Sequence, residues 1–172
     1  MGKDNKALII IDVQAEFINK YTVDKIELIN ELSKRFDGIK ITIKSFNDND
    51  SPLMKLGIYS RPIDKRWNSL DKEVLTEENY IILKDRYSAC GNDLMTLIND
   101  RSIGEVYVVG FDTDACVMAT VLGLVDNGVK TYVIEDCCAS SGGPEYHNYG
   151  MMLLKRNLGQ RFICGLNDVI NN

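Results

Sequence analysis

Apolar residues in this chain come in blocks, and the blocks alternate between two periods. Residues 7–11, ALIII, form a solid apolar run of strand length. Ile26, Ile29, Leu32 and Phe36 then recur every three or four positions, the period of a helix with one buried face. The same change repeats down the chain. Residues 39–43 (IKITI) and 80–83 (YIIL) predict the second and third strands, Leu94, Leu97 and Ile98 a helix behind Gly91, and residues 106–109 (VYVV) the fourth strand. Ala115, Met118, Ala119, Leu122 and Val125 share one helical face, with Gly128 where a helix favours a left-handed terminal residue. Residues 131–134 predict a fifth strand, 146–158 a helix and 161–163 a short last strand.

Strands that are apolar almost throughout must be covered on both faces. The pattern therefore predicts an α/β fold, a three-layer α/β/α sandwich with a mainly parallel sheet of about six strands, as a single domain over residues 1–172. One stretch breaks the rhythm. Residues 46–78 contain Ser51-Pro52, Arg61-Pro62 and the only tryptophan, Trp67. So long an excursion inside a compact domain predicts a functional loop, either a lid or a subunit contact.

Charge and composition narrow the partners. The formal net charge of -5 is spread along the chain with no basic block, which argues against a nucleic-acid backbone or an anionic membrane and for a small-molecule ligand. Asp12 interrupts the first apolar run after five residues, so no secretion h-region is read. The longest uncharged apolar stretch, 115–125, is far shorter than the roughly 20 residues that span a bilayer. The expected location is the cytoplasm. Five cysteines, at 90, 116, 137, 138 and 164, are odd in number and form no CxxC pair, which predicts reduced thiols rather than a disulfide framework.

In open parallel sheets, ligands sit beyond the carboxyl ends of the strands. Three of those ends carry reactive groups: Asp12 after the first strand, Lys84 after the third, and Cys116 just past the fourth. A nearby ammonium and the positive end of a helix dipole both favour a thiolate. Asp12 could take the thiol proton, return it to a leaving amine and activate the water that clears an acyl-enzyme. Backbone N–H groups of Asp112 and Cys116 at the helix start could hold an oxyanion.

The segments ALIIIDVQAEF, IILKDRYSACGNDL and VYVVGFDTDACVMATVLGLVDNG resemble, in order and spacing, the signature segments of the isochorismatase-like cysteine hydrolases, which include nicotinamidases and carbamoylsarcosine amidases. DxQxxF, a strand-ending Lys followed by YSA, and GxxTDxCV occur together here over roughly residues 6–160. The resemblance implies Asp12 as general acid/base, Lys84 as the cation and Cys116 as the nucleophile. It further implies a non-prolyl cis peptide between Phe111 and Asp112, a pocket-wall aromatic at Phe17, a position behind the acid at Gln14, and a dimer or tetramer. The implied reaction is hydrolysis of a C–N bond in a small amide, ureide or carbamoyl compound through a thioester. Two other readings stay open: vinyl-ether hydrolysis of the isochorismatase type, and a family member that binds a metabolite or uses Cys116 as a redox thiol.

The chain departs from nicotinamidases where those carry a metal site of an Asp and several histidines. Here the segment reads TIKSFNDNDSPLMKLG, with Ser45, Asn47 and Asp48 and no histidine, and the sole histidine, His147, lies far along the chain. A His-based metal site needs several such ligands. The expectation is a hydrolase without metal or other cofactor, with Asp48 and Asp50 in a solvated turn and Cys90 packed near the site in place of the family's aromatic.

Overall fold

Strand β1 (Lys6–Ile11) is buried on both of its faces, with Leu8, Ile9, Ile10 and Ile11 all fully shielded from solvent. Each such side chain contributes about 1.5–3 kcal/mol by leaving water, so this strand anchors two cores at once. Ala7, Ile9 and Ile11 pack on one side with Leu94 and Ile98 of α3 (Asn92–Asp100), Val121 and Leu124 of α4 (Met118–Asp126), and Met151 and Leu154 of α5 (Pro144–Leu158). Leu8 and Ile10 pack on the other with Ile26, Ile29 and Leu32 of α1 (Lys25–Arg35) and Leu166 of α6 (Leu166–Ile170). The remaining helix, α2, is the short turn Pro52–Lys55. The computed structural model describes residues 6–63 and 79–171. The later half of the 46–78 excursion, Trp67 included, lies outside the described residues.

The other strands are β2 (Ile39–Ser45), β3 (Asn79–Lys84), β4 (Glu105–Gly110), β5 (Lys130–Cys138) and β6 (Ile163–Cys164). They lie in the order β3-β2-β1-β4-β5-β6, every neighbouring pair parallel. The three-layer architecture follows the sequence pattern, with a sheet that is wholly rather than mainly parallel among the described residues. Strand order reverses direction between β1 and β4. At such a switch point the connections leave to opposite faces and open a crevice at the carboxyl ends of the strands.

Element boundaries differ from the expected ones where polar residues are satisfied by tertiary partners. β5 extends past residue 134 because Glu135 accepts a hydrogen bond from Lys155 Nζ (2.8 Å) and Asp136 one from the Leu166 N–H (2.8 Å). Residues 160–162 form a 3₁₀ turn, so the last strand is Ile163–Cys164. Pro144 opens α5 two residues earlier than its apolar pattern starts, at a position where its missing N–H is no loss. No helix among the described residues is long and apolar enough to cross a membrane.

Candidate active site

The junction of β1 and β4 is built around Gly110. Its φ is +116°, and a Cβ there would stand 2.1 Å from the Ile11 carbonyl oxygen. Only glycine allows the two strand ends to come this close. Beyond it the Phe111–Asp112 peptide is cis. The chain then enters a π-helical turn, Thr113–Val117, in which the Val117 N–H reaches back five residues to the Asp112 carbonyl (3.0 Å). π-turns recur at functional sites because they re-aim one side chain without ending the helix. Here the turn carries Cys116.

Neighbouring elements hold that turn from several sides. Thr113 N–H donates to the Ala139 carbonyl (3.0 Å), and Ser141 donates to the Asp112 carboxylate through its hydroxyl (2.7 Å) and its backbone N–H. Thr113 Oγ1 shares a 2.8 Å hydrogen bond with His147 Nδ1 on α5. One turn later, a Cβ on Gly150 would meet Asp114 N and Thr113 C at 2.9 Å, so α5 lies directly on the turn.

The three residues expected to act together do meet. Lys84 Nζ donates to Asp12 Oδ2 (2.7 Å), Ser45 Oγ (2.8 Å), the Arg86 carbonyl (3.1 Å) and Cys116 Sγ (3.2 Å). The ammonium therefore bridges carboxylate and thiol inside a shell of neutral acceptors. Asp12 is fully buried, at φ +52°, a left-handed conformation uncommon outside glycine. Its N–H is held by the Ile43 carbonyl (3.0 Å), and its Oδ1 has no hydrogen-bond partner among the described residues. An unpaired oxygen on a buried carboxylate is a group awaiting a proton or a donor.

Burial first, then the charge of Asp12, push the Cys116 thiol up, while Lys84 pulls it down. For Lys84, burial lowers the pKa, but Asp12 and then Cys116 outweigh it and hold the ammonium above its ordinary value. Burial, and after it the proximity of Cys116 and Asp12, also raise the Tyr59 phenol.

The two expected pocket residues, Gln14 and Phe17, are both buried. Gln14 closes a bracket on the end of β2, its Nε2 donating to the Ser45 carbonyl (3.1 Å) and its Oε1 accepting from the Ser45 N–H (2.9 Å). It thereby fixes the position of Ser45, which in turn accepts from Lys84 Nζ. Phe17 packs in the apolar cluster beneath α1 with Val13, Ile63 and the ring of Tyr59 against it. Asp48 caps the turn into α2, accepting from Ser51 Oγ (3.1 Å) and from the Asp50 N–H (3.0 Å). Cys90 donates to the Thr120 carbonyl (3.3 Å), a packing role. All five cysteines are free thiols, and among the described residues no three His, Cys, Asp or Glu side chains converge as metal ligands.

Sequence reasoning missed the Ser45–Lys84 and His147–Thr113 links. Ser45 is signalled only by its register opposite Lys84 in the β2–β3 pairing, which a single sequence does not display. Two cavities of about 440 Å³ and 450 Å³ flank the β3 side of Lys84, but neither is lined by Asp12 or Cys116. The burial of both residues in hydrogen-bonded surroundings makes the geometry of the centre the better guide to chemistry.

Comparison with known proteins agrees with this fold. The chain is 23% identical over 146 residues to isochorismatase family protein 1B of Dictyostelium discoideum, an alignment that covers 80% of this chain and 65% of that protein, just under two thirds of the relative's length. The nicotinamidase of Bacillus subtilis superposes with a TM-score of 0.75 at 24% identity, covering 93% of this chain and 99% of that one. The N-carbamoylsarcosine amidase of Thermoplasma acidophilum superposes with a TM-score of 0.76 at 18% identity, covering 95% and 97%. Residues 6–163 match the isochorismatase domain, and the chain belongs to the isochorismatase family.

Proposed function

We propose that the protein is a cysteine hydrolase that cleaves a C–N bond of a small amide, ureide or carbamoyl compound through a thioester on Cys116, with no metal in the mechanism. The observation that carries this is the single ammonium of Lys84 bridging Asp12 and Cys116 at 2.7 and 3.2 Å. Asp12 removes the thiol proton as Cys116 Sγ attacks the carbonyl carbon. Charge that develops on the carbonyl oxygen falls to the N–H groups of Asp112 and Cys116. The same proton passes from Asp12 to the departing nitrogen, and the C–N bond breaks. Asp12 then takes a proton from water, hydroxide adds to the thioester, and the acid leaves as Sγ recovers the proton. Lys84 keeps its ammonium throughout and orients both partners. A thiol and an amine-protonating acid suit amide cleavage better than the opening of a vinyl ether. The names of the two superposed amidases support the same class.

The test is acyl trapping. Intact protein incubated with a panel of small amides and quenched in acid should gain the mass of the acyl group on Cys116. Cys116→Ser and Asp12→Asn should lose turnover by at least about 1,000-fold, the scale of removing a nucleophile or its base. Full turnover by Cys116→Ser would end the proposal.

A further inference from the structure

The Asp112 carboxylate is held in place against its surroundings. Asp112 heads the turn that carries Cys116, and its carbonyl closes that turn by accepting from the Ala115 N–H (3.1 Å) and the Val117 N–H (3.0 Å). Burial, and after it the charges of Asp114 and Asp12, work against ionisation of its carboxyl. Ser141 pulls the other way, its backbone N–H donating to Oδ1 and its hydroxyl to Oδ2 (2.7 Å). Ser141 is itself fixed from behind, because its carbonyl accepts from Asn19 Nδ2 (2.9 Å) in the loop after β1. Its N–H, hydroxyl and carbonyl are thus all engaged, the first two on a single carboxylate. Hydrogen bonds to an ionised acceptor are roughly twice as strong as neutral ones, so this pair ties the loop after β5 firmly to the head of the turn.

We propose that Ser141 is a positioning residue for acyl transfer to Cys116: through the Asp112 carboxylate it holds the Asp112 backbone N–H where the carbonyl oxygen of the substrate gathers charge. The assignment rests on the hydrolase reading of Asp12, Lys84 and Cys116. In that reading the N–H groups of Asp112 and Cys116 receive the oxyanion, and donors already in place are effective because nothing need reorganise as the charge develops. A carboxylate on the same residue as such a donor repels the developing charge, and two donors on that carboxylate draw part of its own charge away. The rest of the turn has other ties. Thr113 is bound to Ala139 (3.0 Å) and to His147 (2.8 Å), and α5 lies against Asp114 at Gly150. Loss of the Ser141 hydroxyl therefore weakens stabilisation of the transition state while the nucleophile stays in position.

Two reagents that react at the same sulfur separate these roles. With p-nitrophenyl acetate, Sγ adds to the carbonyl carbon, the thiol proton passes to Asp12, and the oxyanion collapses to acetyl-Cys116 as p-nitrophenolate leaves. With methyl methanethiosulfonate, Sγ bonds to the sulfenyl sulfur and methanesulfinate leaves, so no carbonyl oxyanion forms. Rates at Cys116 are read by mass spectrometry in wild type, Ser141→Ala and Ser141→Thr. Ser141→Ala should slow acetylation about 10-fold and keep thiosulfonate exchange within about 2-fold of wild type, and Ser141→Thr, which keeps the hydroxyl, should restore acetylation. Asp112→Ala should show the same selective loss, and adding Ser141→Ala to it should change nothing further, because the two residues act as one link. Asp112→Ala also serves if Ser141→Ala does not fold. Acetylation that is unchanged in Ser141→Ala, or that falls together with exchange, overturns the proposal and leaves the hydrolase reading standing. Wild-type Cys116 that is never acetylated, whether or not it exchanges, removes the hydrolase reading and the proposal with it.

Discussion

Two loops leave the carboxyl edge of this sheet, and they are built in opposite ways. The loop after β4 is held from every side, by Gly110 against Ile11, Ser141 on Asp112, Ala139 and His147 on Thr113, and Gly150 beneath Asp114. The loop after β2 is tied, among the described residues, by the Phe46 N–H on the Lys84 carbonyl (2.8 Å), the Asn47–Ile63 bridge and the buried Leu53 and Ile63, but it carries Leu56 and Ile58 at 73% and 50% exposure. The first carries Cys116 and the second carries Tyr59. On the proposed hydrolase reading the first loop holds a nucleophile, which must be kept within a fraction of an ångström, and the more exposed second loop has no such demand on it.

The sharpest break in the comparison comes from Gly110→Ala. Its Cβ would collide with the backbone of Ile11 at 2.1 Å, and the left-handed φ adds strain, so neither strand can give way without unpairing the sheet centre. The expected loss is more than about 3 kcal/mol, seen as insoluble protein or a large drop in the urea midpoint. Soluble Gly110→Ala with an unchanged midpoint would show the strand junction to be less confined than described.

Alkaline pH probes the same tight region through its thiols. Cys137 and Cys138 are fully buried at the end of β5, and burial, followed by the neighbouring Asp136, raises Cys137 from the ordinary 9.0 to about 12. Below pH 9 both folded and unfolded chains keep these protons, so nothing is lost. Above it the unfolded chain ionises while the folded chain does not, and stability falls by up to about 1.4 kcal/mol per pH unit for each such thiol. Urea unfolding at pH 8 and pH 10 should show the decline, and Cys137→Ala should flatten it. An equal slope in the variant would mean that other groups carry the alkaline limb.

His147→Ala tests whether α5 positions the turn. Removing the imidazole leaves Thr113 Oγ1, fully buried, without its 2.8 Å partner, at a cost of about 1–2 kcal/mol. Burial lowers the pKa of His147 from 6.5, so the folded protein resists its protonation and the unfolded chain does not. Wild-type stability should therefore fall as pH drops below 6.5, and the variant should lack that contribution. Chemical denaturation at pH 5 and pH 7.5 reads both.

The sheet was legible because its strands are apolar on both faces, and Ala7 through Ile11 admit no other packing. Asp12, Lys84 and Cys116 were legible because each follows such a strand within a few residues. The turn chemistry was not. A π-turn at Thr113–Val117 shares its composition with an ordinary helix start, and Gly150 is one glycine in a helix until α5 is laid on Asp114. The sequence shows a cationic neighbour such as Lys84, while the burial of Cys116 and the facing charge of Asp12, which push its thiol up, belong to the folded arrangement. Asn47 in SFNDND has the composition of a solvated turn, and its near-complete burial comes from the bridge to Ile63, sixteen positions on.

The loosely tied loop should respond least. Leu56 is 73% exposed beside Gly57, which at φ +70° turns the chain out of α2. Leu56→Ser removes little buried apolar area, so the expected change in stability is within about 0.5 kcal/mol, in contrast with the several expected at Gly110. The same urea titration reads both substitutions. If Leu56→Ser instead costs as much as His147→Ala, this side chain is covered in solution, and the contrast between a fixed loop and a yielding one fails on the side that was taken to be open.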